Sequence, residues 1–213
     1  MFVETLPPDT RHLLERLGQL SAVAPFYLAG GSAIALHLGH RISVDLDFFT
    51  FQSDYETEPL IQQLQSVGNL VIRQQSRGTL NATLAGTLIS FFVYPYPLLE
   101  ETRAAWNIRV AGLLDLALMK LAAIGQRGAK RDFVDLYQIC HHGYKLDDLL
   151  RCMPDKFPKV TYPSYHLLRA LAYFEDAEAE PMPPMLIPLE WPTVRRFFED
   201  EVRRLMHALL GPL

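Results

Sequence analysis

The stretch that decides the fold runs from residue 26 to residue 51 and reads FYLAGGSAIALHLGHRISVDLDFFTF. An apolar, strand-like run (Phe26 to Ala29) meets two glycines and a serine, and a short helical pattern follows. The stretch then presents Asp45 and Asp47, separated by one residue. Side chains two positions apart in a strand point to the same face, so the sequence predicts two carboxylates side by side.

Neighbouring carboxylates repel each other unless they share a proton or a cation, and in phosphoryl chemistry that cation is usually divalent. We therefore predict that Asp45 and Asp47 bind Mg²⁺ or Mn²⁺. An isolated Asp-x-Asp is more often a solvated strand end or a turn cap. The Gly-Gly-Ser before this pair favours the metal site, because it predicts a phosphate site next to the carboxylates.

Gly30, Gly31 and Ser32 form the predicted phosphate cradle. Glycine lets a ligand approach the backbone closely, and a helix start leaves N–H groups free to bind an anion. We predict that the glycine N–H groups and the Ser32 hydroxyl contact the β- and γ-phosphates of a nucleotide. Ser32 as a helix N-cap is the alternative, and the two roles are compatible. His40 and Arg41 are predicted either to reach the triphosphate or to lie on the surface.

The composition limits the class of protein. A chain of 213 residues, 49% apolar and 21% charged, forms one large or two small globular domains. The formal charge of −4 excludes a global basic surface, so any nucleotide or RNA site must be a local basic patch. Cys140 and Cys152 lack metal spacing. No signal peptide or membrane span is expected, which predicts a cytoplasmic protein.

The periodicity of apolar residues changes along the chain, from mixed α/β to helical after residue 112. We therefore predict two domains, 1–111 and 112–213, with a ligand cleft between them. Predicted strands cover 26–29, 43–51 (with Val44, Leu46 and Phe48 in the core), 70–76, 79–84, 88–94 and 107–110. Predicted helices cover 9–20 (capped by Asp9 or Thr10), 32–38 (ended by Gly39), 57–67, 113–126, 131–142, 147–153, 163–175 and 192–210. Residues 178–192 are predicted to be an ordered linker.

A second informative stretch, residues 114–139, reads LDLALMKLAAIGQRGAKRDFVDLYQI. Lys120 stands in an otherwise apolar helical pattern, where a lysine usually extends toward solvent or pairs with a carboxylate. Asp132 and Asp135 are three positions apart and share one helical face. Asp132 is predicted to cap that helix and to orient Arg131 or Lys120. An intrahelical surface pair of acids is the alternative.

These two stretches resemble a known family. Residues 30–49, GGSAIALHLGHRISVDLDFF, resemble the first motif of the polymerase-β-like nucleotidyltransferases. Together with residues 114–139 they resemble, more narrowly, the AbiEii/AbiGii group, the toxins of type IV toxin–antitoxin and phage-defence pairs. The resemblance covers roughly residues 26–140. It implies the fold class α/β (α+β), with a polymerase-β-like sheet-and-helix half followed by a helical half.

For function, the resemblance implies Mg²⁺-dependent transfer of a nucleoside monophosphate from an NTP to an acceptor hydroxyl, for some members at tRNA 3′ ends. It also implies a cognate antitoxin encoded nearby. Lys120 matches a motif lysine that holds nucleotide phosphates, and RDFVDLY is a signature that makes Asp132 functional and Asp135 its support. The implied catalytic residues are Asp45, Asp47, Lys120 and Asp132. The implied nucleotide-binding residues are Gly30, Gly31, Ser32, Arg41, Lys120 and Arg131.

One position departs from the family pattern. Polymerase-β-like enzymes carry a third carboxylate on a later strand, and this chain has Ser90 at the expected place. The ion that activates the acceptor is then held less firmly. A nucleotide-binding or interaction module without turnover therefore stays open as an alternative. A small-molecule transferase of the antibiotic-modifying kind is a second one.

Two further groups of residues have plainer interpretations. Aromatic residues at strand spacing are predicted to be core, except Tyr94 and Tyr96, which neighbouring prolines direct toward the rim of the cleft. The arginines of the last helix are balanced by nearby acids, which predicts a solvated helix face: Arg195, Arg196, Arg203 and Arg204 with Glu199, Asp200 and Glu201.

Overall fold

The computed structural model of this chain describes residues 1–53 and 55–210. The strands are β1 Tyr27–Ala29, β2 Leu46–Thr50, β3 Leu70–Ser76, β4 Thr79–Leu84, β5 Thr87–Val93, β6 Arg103–Ala105 and β7 Ile108–Val110. The helices are α1 Pro8–Leu17, α2 Gly30–Leu38, α3 Thr57–Val67, α4 Leu113–Ile124, α5 Lys130–His141, α6 Leu146–Lys156, α7 Ser164–Leu171, α8 Glu175–Glu178 and α9 Trp191–Leu210. A 3₁₀ turn, Val3–Thr5, precedes α1.

The strands of the described residues form one seven-stranded sheet in the order β3-β4-β5-β2-β1-β7-β6. The three central strands, β5, β2 and β1, position the site. β1 runs antiparallel to β2, and β2 runs parallel to β5. In this register Asp47 lies opposite Ala29 on one side and beside Ser90 on the other. The end of β1, where Gly30 starts α2, is therefore level with Asp47.

Alternation along β2 separates the core from the exposed face. Phe48 is fully buried, whereas its neighbours Asp47 and Phe49 are partly exposed. Phe48 stacks on Phe91 of β5, with 4.9 Å between the ring centroids. One face of the central strands thus builds the core and the other stays accessible, as a two-residue period predicts.

Two helices end at glycines, as predicted. α2 stops at Gly39, whose φ of +68° is the left-handed conformation that glycine adopts without strain. The ring of Phe2 lies against this glycine, so that a side chain at position 39 would collide with it. α3 spans Thr57–Val67 and is followed by Gly68, with the bounds that the sequence predicted.

The strand that carries the aspartates is shorter than predicted. β2 begins at Leu46, so Asp45 lies just before it, and Val44 is 54% exposed rather than in the core. The preceding backbone bonds elsewhere, since the N–H of Ser43 donates to the carbonyl of Thr5 at 2.9 Å. The strand predicted over 43–45 is therefore wrong, because tertiary contacts use the donors that a sheet would need.

Several other elements differ from the prediction; α1 ends at Leu17 and α6 continues to Lys156, for example. α1 begins at Pro8 instead of following a cap at Asp9 or Thr10, because a proline at the first helical position has no N–H that needs a partner. The three-residue strand β6 was not predicted, since so short a segment shows no periodicity. The helix predicted over 163–175 ends earlier, and Phe174 packs on Phe133 with 5.3 Å between the ring centroids.

The arginines of α9 lie on an exposed face. Arg195 pairs with Glu199 at 2.8 Å and Arg204 with Glu201 at 2.7 Å, which confirms the predicted solvated face. Exposed pairs of this kind contribute less than about 1 kcal/mol each.

The mixed α/β fold class is confirmed. The described strands all end by residue 110, and α4 to α9 follow them in the chain. α4 and α5 pack against each other and against α2, and one cluster of buried apolar side chains includes residues from both parts. The division into domains 1–111 and 112–213 stays a prediction. In the described ranges, no helix is both long enough and apolar enough to cross a membrane.

Candidate functional site

A cleft of about 1020 Å³ is lined by the central strands on one side and by α4 and α5 on the other. It brings together segments that are far apart in the sequence: 30–49, 92–96, 116–132, 157–162 and 180–184. The predicted site residues that line it are Gly30, Gly31, Arg41, Asp45, Asp47, Lys120, Arg131 and Asp132. Eight of the nine predicted site residues therefore meet in this cleft, although their roles stay predictions.

Ser32 is the predicted site residue that does not line the cleft. Its side chain is buried, and its hydroxyl lies 2.9 Å from the hydroxyl of Ser43 and hydrogen-bonds to the main-chain carbonyl of Asp45. Ser32 thus anchors the segment that leads into β2, and it positions the Asp45 backbone from beneath.

The negative charge of Asp47 is disfavoured in this cleft. Burial and repulsion from Asp45 raise its pKa, while the Ser90 hydroxyl and the charges of Lys120 and Arg131 act in the opposite direction. Two carboxylates that disfavour each other's negative charge in a cleft are a place where a cation would be stabilised.

The two glycines leave room beside the charged groups. Gly30 has φ +67°, and a Cβ atom there would lie 2.5 Å from Oδ2 of Asp47. A Cβ atom on Gly31 would lie 2.3 Å from Nη2 of Arg41. Only glycine therefore allows the backbone at the start of α2 to approach both the carboxylate and the guanidinium.

Asp135 is the centre of a buried ionic cluster. Its carboxylate accepts two hydrogen bonds from Arg41, Nε to Oδ1 at 2.7 Å and Nη2 to Oδ2 at 2.8 Å. Nε2 of His40 lies 2.8 Å from Oδ1, and Nζ of Lys120 lies 2.8 Å from Oδ2. His40, Arg41 and Asp135 are all buried, so the surface alternatives for these residues are wrong.

Lys120 is held between two acids. Its ammonium group lies 2.7 Å from Oδ1 of Asp132 as well as close to Asp135. The lysine is 8% exposed and both aspartates are fully buried, so the pairing interpretation is correct and the solvent-directed one is wrong. Burial alone would lower the pKa of Lys120, but Asp135 and Asp132 raise it above its ordinary value, so the ammonium stays charged.

The helical side of the cleft also carries two more accessible arginines. Arg127, 60% exposed, places Nε 3.3 Å from Oδ2 of Asp132, and Arg131 is exposed beside it. Asp132 does not cap α5 with its side chain, because its oxygens accept from Lys120 and Arg127. Positive groups thus lie close to Asp47 in the cleft, where Lys120 and Arg131 oppose the rise in its pKa.

The donor set fits a hard divalent cation that is bound together with a triphosphate. Within residues 1–53 and 55–210, no group of three His, Cys, Asp or Glu side chains is arranged to hold a metal. Asp45 and Asp47 supply two carboxylates, and Ser90, directly beside Asp47, supplies a neutral oxygen. Mg²⁺ usually binds one or two carboxylates and takes its other ligands from waters and substrate phosphates.

Replacing Ser90 by aspartate is expected to tighten the binding of Mn²⁺ by about tenfold, because it adds a third carboxylate beside Asp47. Calorimetric titration with MnCl₂ measures the effect. Ser90→Asn is the matched control, since asparagine has the shape of aspartate but carries no charge. Equal affinities of the two variants for Mn²⁺ would show that position 90 does not face the cation.

The sequence did not predict one part of the cleft lining. Residues 180–184, predicted only as part of an ordered linker, line the cleft. Backbone hydrogen bonds attach this region to the segment before β2: Ile42 donates to the carbonyl of Pro184 at 2.8 Å, and Leu186 donates to that of His40 at 2.9 Å. Contacts between segments so distant in the chain leave no local signal in the sequence.

Comparisons with known proteins show what this chain is similar to. The model of the family described as "Nucleotidyl transferase AbiEii toxin, Type IV TA system" matches residues 12–87 and 89–208. An uncharacterized protein of Aquifex aeolicus (strain VF5) is 36% identical over 205 residues, which cover 94% of this chain and 98% of that protein. Among solved structures, MenT4, the nucleotidyltransferase toxin Rv2826c from Mycobacterium tuberculosis H37Rv, has a similar fold. Its TM-score is 0.54 at 15% identity, with 94% of this chain and 86% of that chain covered.

JHP933 from Helicobacter pylori is also similar, with 14% identity, a TM-score of 0.47 and coverage of 95% of this chain and 96% of that chain. The family match spans both the strand segment with the aspartates and the helices with Lys120 and Asp132. This chain therefore belongs to the AbiEii family of nucleotidyltransferase toxins of type IV toxin–antitoxin systems.

Proposed function

We propose that this protein transfers a nucleoside monophosphate from an NTP to an acceptor hydroxyl, such as a tRNA 3′ end, with Mg²⁺ or Mn²⁺ as cofactor and release of pyrophosphate. We also propose that it acts as the toxin of a pair whose antitoxin is encoded nearby. Family membership supports the reaction class. The metal, the acceptor and the antitoxin are the specific parts of the proposal.

One observation carries the proposal. A single cleft holds a glycine turn at a helix start, one aspartate just before the adjoining strand and one on it, and the cationic side chains of Arg41, Lys120 and Arg131. Each feature has an ordinary structural explanation when it stands alone. Together they provide negative groups for a cation and positive groups for phosphates within one cavity.

The chain's own residues divide the work. The N–H groups at Gly30 and Gly31 would bind the triphosphate end, Arg131 would add positive charge there, and Arg41, paired with Asp135, lies beside Gly31. Lys120 uses two of its three donors on Asp132 and Asp135, which leaves one for a phosphate oxygen. Asp45 and Asp47 would hold the cation, which supplies charge neutralisation and an acidified acceptor hydroxyl.

The proposal is tested by incubating the purified protein with each α-labelled NTP, total tRNA and MgCl₂. We expect label in the tRNA band, loss of labelling with excess EDTA, and recovery with Mg²⁺ or Mn²⁺. Labelling that persists without any divalent cation would contradict the metal assignment. NTP binding without pyrophosphate release would instead favour a nucleotide-binding module, the alternative that Ser90 keeps open.

Growth distinguishes the remaining alternative. Expression of the chain alone is expected to arrest cells, because blocked tRNA ends stop translation. Cells that grow normally while the protein labels a small-molecule antibiotic would point to a transferase of the antibiotic-modifying kind. Expression of Asp47→Asn at the same level is the control for toxicity that does not depend on transfer.

A further inference from the structure

The sheet face that carries Asp47 continues into an aromatic surface. Strand alternation places Asp47 and Phe49 on one face of β2, and the parallel pairing places Phe92 of β5 beside Phe49. We call this surface the aromatic wall; its members, all lining the cleft, are Phe49, Phe92, Tyr94, Tyr96, Phe157 and Tyr162. It is a continuous aromatic part of a cleft whose other lining residues are both charged and apolar.

The wall is a connected set of rings. Tyr94 lies edge-on to Phe49 with 5.2 Å between the centroids, and Tyr96 lies 4.8 Å from Tyr94. Phe157 links Tyr96, at 4.9 Å, to Tyr162, at 5.1 Å. Apart from Phe157 the rings are partly exposed, so they differ from the fully buried pair on the opposite face of the sheet.

The wall lies at the opposite end of the site from the phosphate cradle. Ala29 is opposite Asp47 in the antiparallel pair, and Gly30 and Gly31 follow it, whereas Phe49 is opposite Tyr27, farther along β2. Two residues of strand separate Phe49 from Asp47 by about 7 Å. That separation is comparable to the separation of a nucleobase from its 5′-phosphate. A phosphate at the aspartates would therefore place a base at the wall.

A buried ion pair fixes the wall in place. Lys156 is fully buried, with its ammonium 2.7 Å from Oδ1 of Asp115 and 2.7 Å from the carbonyl of Pro97. Asp115 also accepts from the N–H groups of Leu99 and Glu100, each at 3.0 Å. The loop after Tyr94 is thereby tied to α4 and α6. A surface that is ordered before binding loses little entropy when a ligand stacks on it.

We propose that the aromatic wall is a nucleobase subsite, on which the base of the incoming NTP or of the acceptor's terminal nucleotide stacks. This inference rests on the proposed function and adds the place where the base is held. A base stacked on aromatic side chains contributes roughly 5- to 150-fold in affinity. The effect of the aromatic wall on nucleotide affinity can therefore be measured without any nucleotidyl transfer.

The first measurement compares inorganic tripolyphosphate with the α,β-methylene analogues of the four NTPs by calorimetry in MgCl₂. We expect at least one analogue to bind about tenfold more tightly than tripolyphosphate. Tyr96→Leu should remove most of that difference and leave tripolyphosphate binding unchanged, whereas Tyr96→Phe, which keeps the ring, should retain it. Tyr162→Leu, from a different segment, is a second test, and melting curves confirm that each variant is folded.

The second measurement separates the two sources of the base. Saturation-transfer NMR detects contact of free nucleosides with the protein's aromatic protons, first without and then with a saturating analogue. Nucleosides that the analogue displaces occupy the subsite of the incoming NTP, and nucleosides that still bind occupy that of the acceptor. Either result, abolished by Tyr96→Leu, supports the wall as a nucleobase subsite.

Two outcomes would overturn the inference in distinguishable ways. In the first outcome, tripolyphosphate and all four analogues bind equally and nucleosides show no saturation transfer. This result would contradict the nucleobase subsite and would not affect the proposed function. No binding of tripolyphosphate or of any analogue would overturn the proposed function, and the wall with it.

Discussion

Asp47→Asn is expected to lower nucleotidyl transfer by on the order of 10³-fold, because it removes the charge of the aspartate that lies between the glycine turn and Ser90. The side chain keeps its shape, so the cleft should be preserved. Initial rates of tRNA labelling from an α-labelled NTP measure the effect. Activity within a few-fold of the wild type would contradict the metal assignment.

The stability of the same variant provides the control. Burial and Asp45 raise the pKa of Asp47, which means that its negative charge is disfavoured in the folded protein at neutral pH. We therefore expect Asp47→Asn to melt at the same temperature as the wild type or at a higher one in the absence of divalent cations. A lower melting temperature would attribute the lost activity to unfolding instead of to the site.

Asp135→Asn is expected to lower the free energy of unfolding by about 3–5 kcal/mol, because it leaves Arg41 and Lys120 in a buried place without their shared carboxylate. Urea denaturation at pH 7 measures the loss. Asp200→Asn is the matched control, since its pair with Arg203 is exposed and should contribute less than about 1 kcal/mol. Equal effects of the two substitutions would contradict the central role of Asp135.

The difference in the free energy of unfolding between the wild type and Asp135→Asn should depend on pH in a definite direction. Burial would raise the pKa of Asp135, but Lys120 and Arg41 hold it well below its usual range. The unfolded value is about 3.9, so the stabilisation is fully present above about pH 4 and is lost as the pH falls through the lower, folded-state pKa. The gap between the wild type and Asp135→Asn should therefore shrink below about pH 4. A gap that stays constant down to the acid transition would contradict the cluster.

The site was largely predictable because its residues obey local rules. Gly30 and Gly31 lie between a strand and a helix, and only glycine fits where a Cβ atom would meet Asp47 and Arg41. Alternation along β2 correctly placed Asp47 opposite to the core residue Phe48. The same rule failed for Val44, because the backbone before β2 bonds to the N-terminal turn and to residues near 184 instead of to a strand.

Charged residues show the limit of local patterns more clearly. The sequence indicated that Lys120 would pair with a carboxylate, and it placed Asp132 and Asp135 on one helical face. It assigned Asp135 only a supporting role and left Arg41 between cleft and surface. Their bidentate pair joins segments from opposite parts of the chain, and a single sequence carries no record of which buried charges neutralise each other.

By itself, the sequence determined the glycine turn, the Asp-x-Asp segment, the order of α/β and helical parts, and the serine in the place of a third carboxylate. These features depend on backbone conformation and on side-chain period, which act over a few residues. The tertiary structure alone decided that Asp135 neutralises Arg41 and Lys120, that residues 180–184 close one wall of the cleft, and that an aromatic wall continues the face of Asp47. Those features depend on burial, and burial is set only when distant segments pack together.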